Sequence, residues 1–153
     1  MAFEHVTFTY PGAKRPALED VSFSVSPGQV VALVGPSGGG KTTAASLIPR
    51  FWDTDSGQVT VGGADVKELD GKTLMEQVAF VFQDTRLFKQ SLLENIRAAR
   101  PNATREQVEA AARAAQCDNF IRRLPDGYQT VIGENGSTLS GGERQRISIS
   151  RAL

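Results

Sequence analysis

Residues 35–42 read Gly35-Pro36-Ser37-Gly38-Gly39-Gly40-Lys41-Thr42, a full match to G-x-x-x-x-G-K-[ST]. The flanks match as well. The continuous apolar run at residues 30–34 predicts a strand covered on both faces, and residues 41–51 predict a helix that closes near Pro49. A strand–glycine loop–helix unit of this kind is a cradle for phosphate. Glycines let the backbone wrap so that several N–H groups point at one anion. The helix N-terminus adds the positive end of its dipole. Lys41 supplies a mobile cation for the outer phosphates, and the Thr42 hydroxyl is placed to ligate Mg²⁺. Thr43, next in the helix, is counted with them. Alone, the motif points to a nucleoside triphosphate and leaves the class open, because small-molecule kinases and GTPases share it.

The rest of the chain supplies a scaffold for this loop. Phe3, Val6, Phe8 and Tyr10 predict an extended segment with imperfect alternation, ended by Pro11-Gly12. Val21, Phe23 and Val25 alternate with serines, as in a half-buried strand. Val59 and Val61 predict a short strand, and residues 78–82 a second doubly covered one. Leu92, Leu93 and Ile96 predict a short helix. Thr104 and Gln107 fit a capping box for a helix with its apolar stripe at Val108, Ala111, Ala112 and Ala115. Asp118 is a candidate cap for a further short helix, and a last helix starts at Ser140. The expected fold is α/β: a phosphate-loop NTPase core with an antiparallel edge subdomain and a helical insertion over about residues 88–150. Lysine plus arginine and aspartate plus glutamate both number 17, so nothing in the net charge draws the chain to nucleic acid. The single cysteine, Cys117, excludes an internal disulfide and reads as a small buried hydrophobe in a reducing compartment. No apolar run approaches the ~20 residues that span a bilayer.

A second motif narrows the class. Leu139-Ser140-Gly141-Gly142-Glu143 is followed by Arg144-Gln145-Arg146 and apolar positions at Ile147 and Ile149. Ser140-Gly141-Gly142 at a helix start is another anion cradle. Here the chain resembles the ATP-binding cassette family, whose signature is usually written L-S-G-G-Q. The resemblance covers residues 3–153 and implies ATP and Mg²⁺ as ligands. It also implies a head-to-tail dimer with a second nucleotide-binding domain. Leu139, Ser140, Gly141, Gly142 and Glu143 of one copy would close over the γ-phosphate held by residues 35–43 of the other. Tyr10 resembles the aromatic that stacks on adenine. Gln83, after the run 78–82, resembles the glutamine that touches Mg²⁺ and the attacking water. Gln83 and Glu134 would also lie near the coupling helices of a membrane domain, and residues 124–136 have the character of exporters. Glu143 departs from the usual glutamine and sets a carboxylate where a γ-phosphate would arrive, with Arg144 and Arg146 available to offset the repulsion.

The same resemblance implies a strand ending in a magnesium-supporting aspartate and a water-activating glutamate, a dimer-contact loop and a switch histidine. None of these is in residues 1–153, and His5, the single histidine, sits near the other end. The expected role is the ATP-hydrolysing part of a membrane exporter at the cytoplasmic face of the cell membrane, with this stretch inactive alone. A soluble cassette ATPase of DNA repair or translation, and a regulatory cassette that binds without hydrolysing, stand as alternatives.

Overall fold

In the computed structural model, which describes residues 1–133 and 139–153, the chain forms two units, Met1–Ala79 and Phe80–Leu153. The first unit is built on a four-stranded antiparallel sheet of order β2-β1-β3-β4, from β1 (Ala2–Phe8), β2 (Leu18–Ser24), β3 (Ser56–Val61) and β4 (Ala64–Asp65). β1 pairs with both β2 and β3, and register shifts interrupt both ladders. The shift common to both ladders lies at His5, whose φ of 50° inserts an extra residue between Phe3 and Val6, and Asp20, also at φ 50°, adds one to β2 between Leu18 and Val21. Strict alternation therefore breaks, yet Phe3, Val6 and Phe8 all reach the core. Gly57 faces this bulge at φ 72°, where a Cβ would run into the carbonyls of Glu4 and His5. The irregular spacing in the sequence is thus a bulge, not a weak strand. β2 alternates as expected, with Ser22 and Ser24 outward and Phe23 stacked on Phe3 at 4.5 Å.

Helix α1 (Lys41–Leu47) lays Ala44 and Leu47 on this core, and α2 (Gly71–Gln77) adds Leu74. Each large apolar side chain buried in this way contributes about 1.5–3 kcal/mol. Sequence reasoning missed α2, because its interior offers one buried apolar residue. Its signal was Asp70, whose carboxylate accepts the Lys72 and Thr73 N–H groups and the Thr73 hydroxyl.

Two expectations fail. Residues 30–34 and 78–82 are in no ladder of the described residues, and Val30, Val34 and Phe82 are 100%, 88% and 54% exposed. An unbroken apolar run records that a segment needs cover on two faces. It does not record which segment supplies the cover or the paired edge, and parallel strands require both.

The second unit is helical: α3 (Leu92–Arg97), α4 (Arg105–Ala114), α5 (Asp118–Ile121), a 3₁₀ turn at Gly127–Gln129, and α6 (Gly141–Ala152). The Thr104–Gln107 capping box is present in full. Val108, Ala112 and Ala115 pack with Leu92, Leu93, Ile96, Ile121 and Ile147 into one core. Asp118 does not cap α5. It is the first helical residue, and its carboxylate accepts the Tyr128 hydroxyl at 2.6 Å and Arg122 Nε at 2.9 Å. The cap position falls to Cys117, which is fully buried with its thiol donating to the Ala112 carbonyl and burial pushing its pKa up to about 11. No helix among the described residues is long and apolar enough to cross a membrane.

Candidate nucleotide site

In the first unit the phosphate loop is closed on itself. Gly39 N–H donates to the Pro36 carbonyl at 3.1 Å, and Lys41 Nζ reaches back to the carbonyls of Gly35 and Pro36 at 2.9 and 2.6 Å. Gly38 and Gly40 hold the turn at φ 79° and 78°. Gly40 is also pinned sterically: a Cβ there would lie 2.7 Å from both the Ala17 carbonyl and Leu18 Cδ2. It is the N-cap of α1 and has no side chain to satisfy the first-turn amides. Those amides, with Gly35, Pro36, Ser37 and Gly38 curled before them and a folded-back ammonium above, have no side-chain acceptor at the cap among the described residues. An anion there would meet N–H groups, a helix dipole and a cation together.

Thr42 is exposed on the first turn, whereas Thr43 is buried and shares a 3.0 Å hydrogen bond with the Tyr10 hydroxyl. Tyr10 is thereby fixed to the helix that carries the loop. Its ring meets Phe8 and Trp52 edge-on at 4.8 and 5.5 Å. Trp52, the one tryptophan, is 41% exposed beside it and was not flagged by its place in the sequence.

In the second unit, Ser140 caps α6 through a capping box. Ser140 Oγ accepts the Glu143 N–H at 3.3 Å, and Glu143 Oε2 accepts both the Ser140 N–H and hydroxyl at 2.8 Å. Glu143 is therefore turned back onto the helix end. The Ser140 N–H and then its hydroxyl, with Arg146 adding charge, hold that carboxyl below its ordinary 4.5. Arg144 donates to the Leu139 carbonyl at 2.7 Å, and the Arg146 guanidinium lies over the Phe120 ring at 5.5 Å. A lowered carboxylate contributes stability that is present above its unfolded value and lost as pH falls through the folded one. Thermal unfolding below about pH 4.5 is thus expected to steepen in the native protein relative to Glu143→Gln. The difference should stay under about 1 kcal/mol, the usual size of one cap. Parallel pH–melting curves for the two proteins would remove Glu143 from this role.

Gln83 is exposed, outside any regular element, and belongs to the second unit with the signature residues. Glu134 lies outside the described residues.

The family model described as ABC transporter matches residues 18–153. This chain belongs to the ABC transporter family. Among its relatives, the ATP-dependent lipid A-core flippase of Dechloromonas aromatica (strain RCB) is 50% identical over 99% of the chain. The putative multidrug export ATP-binding/permease protein YgaD of Bacillus subtilis (strain 168) is 48% identical over 99% of it. A structure of a bacterial Atm1-family ABC exporter with ATP bound superimposes with a TM-score of 0.93 at 42% identity, covering 99% of this chain and 26% of its own. The two curated relatives are likewise covered over 26% of their length, so this ABC transporter chain spans about a quarter of each.

One polar cluster of this ABC transporter chain was not legible in the sequence. Asn95 is fully buried in α3, and Arg151 near the end of α6 donates to its carbonyl and side-chain oxygens at 2.7 and 2.6 Å. The two residues are 56 positions apart, and neither belongs to a motif.

Proposed function

We propose that the chain is the ATP-binding portion of an exporter of the ABC transporter family, hydrolysing ATP in the complete protein at the cytoplasmic face of a membrane. The observation that carries this reading is the uncapped start of α1, with the Lys41 ammonium folded over the same loop. Residues 35–40 and the α1 amides cradle the phosphates, Lys41 neutralises the outer ones, and Tyr10 offers an aromatic face to adenine. Leu139, Ser140, Gly141, Gly142 and Glu143 close the site from a second copy in a head-to-tail dimer. Gln83 faces the membrane-domain coupling helices.

Mg²⁺ fits this donor set. No cluster of three or more His, Cys, Asp or Glu among the described residues would hold a metal by itself. Mg²⁺ is commonly held by one or two protein groups together with substrate phosphates, and the exposed Thr42 hydroxyl suits that role. When bound, it would supply positive charge against the charge that develops on the phosphate oxygens.

The test is photolabelling of the full-length protein with 8-azido-ATP plus Mg²⁺. Labelling of the peptide bearing Tyr10, removed by excess ATP, is expected. A folded protein that takes up no label and turns over no ATP overturns the proposal.

A further inference from the structure

We infer that Arg151 is a positioning residue that ties the segment following Gln83 to the signature helix, so that Ser140 moves with that segment during ATP turnover. The inference rests on the proposed roles of Gln83 and Ser140. Its evidence lies within the second unit. The Arg151 guanidinium is shared between two elements. Nε and NH2 donate to the backbone and side-chain oxygens of Asn95, while NH1 donates to the Arg86 carbonyl at 2.9 Å. The same guanidinium lies over the Phe88 ring at 5.1 Å. Asn95 completes the knot from the other side. Its Oδ1 accepts the Phe88 N–H at 2.8 Å, and its Nδ2 donates to the carbonyls of Phe88, Gln90 and Ser91 at 2.9, 3.3 and 3.1 Å. Residues 86–90 lie outside any helix or strand, and Ser91 is the N-cap of α3. Besides the Gln90 N–H bond to the Phe88 carbonyl and the Ile132 N–H bond to the Gln90 carbonyl, the segment is held by these two side chains.

The choice of an arginine is informative. Burial pulls its pKa below the ordinary guanidinium value, although the group stays charged, and no carboxylate among the described residues pairs with it. A partly buried cation without an acidic partner is a poor source of stability, and an apolar side chain would serve packing better. What the planar fork supplies is geometry: donors fixed in one plane that register two segments against each other. One end of the link lies three residues after Gln83. The other is the last turn of α6, an unbroken helix whose N-cap is Ser140. Arg151 and Ser140 are about 16 Å apart along that axis, at ~1.5 Å per residue. A displacement of residues 86–88 is thus passed to α6 as a rigid body. Phe88, 56% exposed with a cation on one face, is the large apolar side chain that this segment presents outward.

The experiment compares wild type with Arg151→Lys in the full-length protein, measuring kcat and KM for Mg-ATP together with the melting temperature. Lysine keeps the charge and the stem and loses the fork. The expected result is a kcat lowered about ten-fold or more with KM within two-fold of wild type, because the phosphate loop is untouched. An unchanged kcat, or a lowered melting temperature as the sole effect, overturns the inference and leaves the nucleotide reading intact. A wild-type protein that neither binds nor hydrolyses Mg-ATP overturns the nucleotide reading on which the inference depends. If Arg151→Lys does not fold, Phe88→Leu removes just the exposed ring beneath the guanidinium. Its kcat is expected to fall about three-fold at constant KM, and an unchanged kcat there overturns the inference too.

Discussion

Lys41→Ala in the full-length protein is expected to lower ATP turnover by about 10²–10³-fold, equivalent to about 2.7–4 kcal/mol of lost transition-state stabilisation. The structure says why the effect is large. Lys41 Nζ lies 2.9 and 2.6 Å from the Gly35 and Pro36 carbonyls, so the cation is held over the loop. Charge that builds on the phosphoryl oxygens during transfer then meets a positioned ammonium, with little reorganisation to complete. Alanine removes that charge and also frees the two carbonyls. Lys41→Met also loses the charge and both hydrogen bonds but keeps most of the stem, so it controls for lost packing. Both variants should show the same collapse of kcat. Turnover within two-fold of wild type in either variant means that residues 35–42 are not the phosphate site.

Gly40→Ala is expected to destabilise the first unit by about 3 kcal/mol and to weaken ATP binding more than ten-fold. Two costs combine. The left-handed φ of 78° costs an alanine roughly 1–3 kcal/mol. The new Cβ would sit 2.7 Å from the Ala17 carbonyl and from Leu18 Cδ2, forcing the loop away from β2 at a further cost of about 1–3 kcal/mol. Because Gly40 is the N-cap of α1, any displacement re-aims the first-turn amides and Lys41 together. The melting midpoint should drop by about 6–12 °C for a domain of this size. Gly63→Ala is the control. Gly63 has a similar φ of 87° but nothing within 4 Å of an added Cβ, so it carries the conformational cost alone and leaves ATP affinity unchanged. Equal losses of affinity in the two variants would mean that the contact between Gly40 and β2 plays no part in forming the cradle.

What could be read from the sequence was whatever depends on neighbours along the chain. The phosphate loop, the Thr104–Gln107 box and the Ser140 helix start are set by residues within six positions of one another. Val21 and Phe23 kept their alternation because the irregularity of β2 falls before them, at Asp20. What escaped depends on distant partners. The runs at 30–34 and 78–82 carried the composition of covered strands, and composition cannot name a strand's neighbour. Asp118 sits where a cap would, but Tyr128 and Arg122 draw its carboxylate into a different network. Glu143 looked like a charge aimed at incoming phosphate, whereas its carboxylate folds onto Ser140 and completes the helix end. Asn95 and Arg151 look unremarkable singly; their importance comes from meeting across 56 positions.

The burial of Cys117 has a practical corollary. With its thiol sequestered and its pKa at about 11, only ~10⁻⁴ of it is thiolate at neutral pH. These 153 residues contain no other cysteine. Maleimide or nitroxide reagents applied to the folded chain will therefore pass over the native sulfur. A cysteine introduced at an exposed position such as Lys89 can report distances and motions of this stretch with Cys117 left in place.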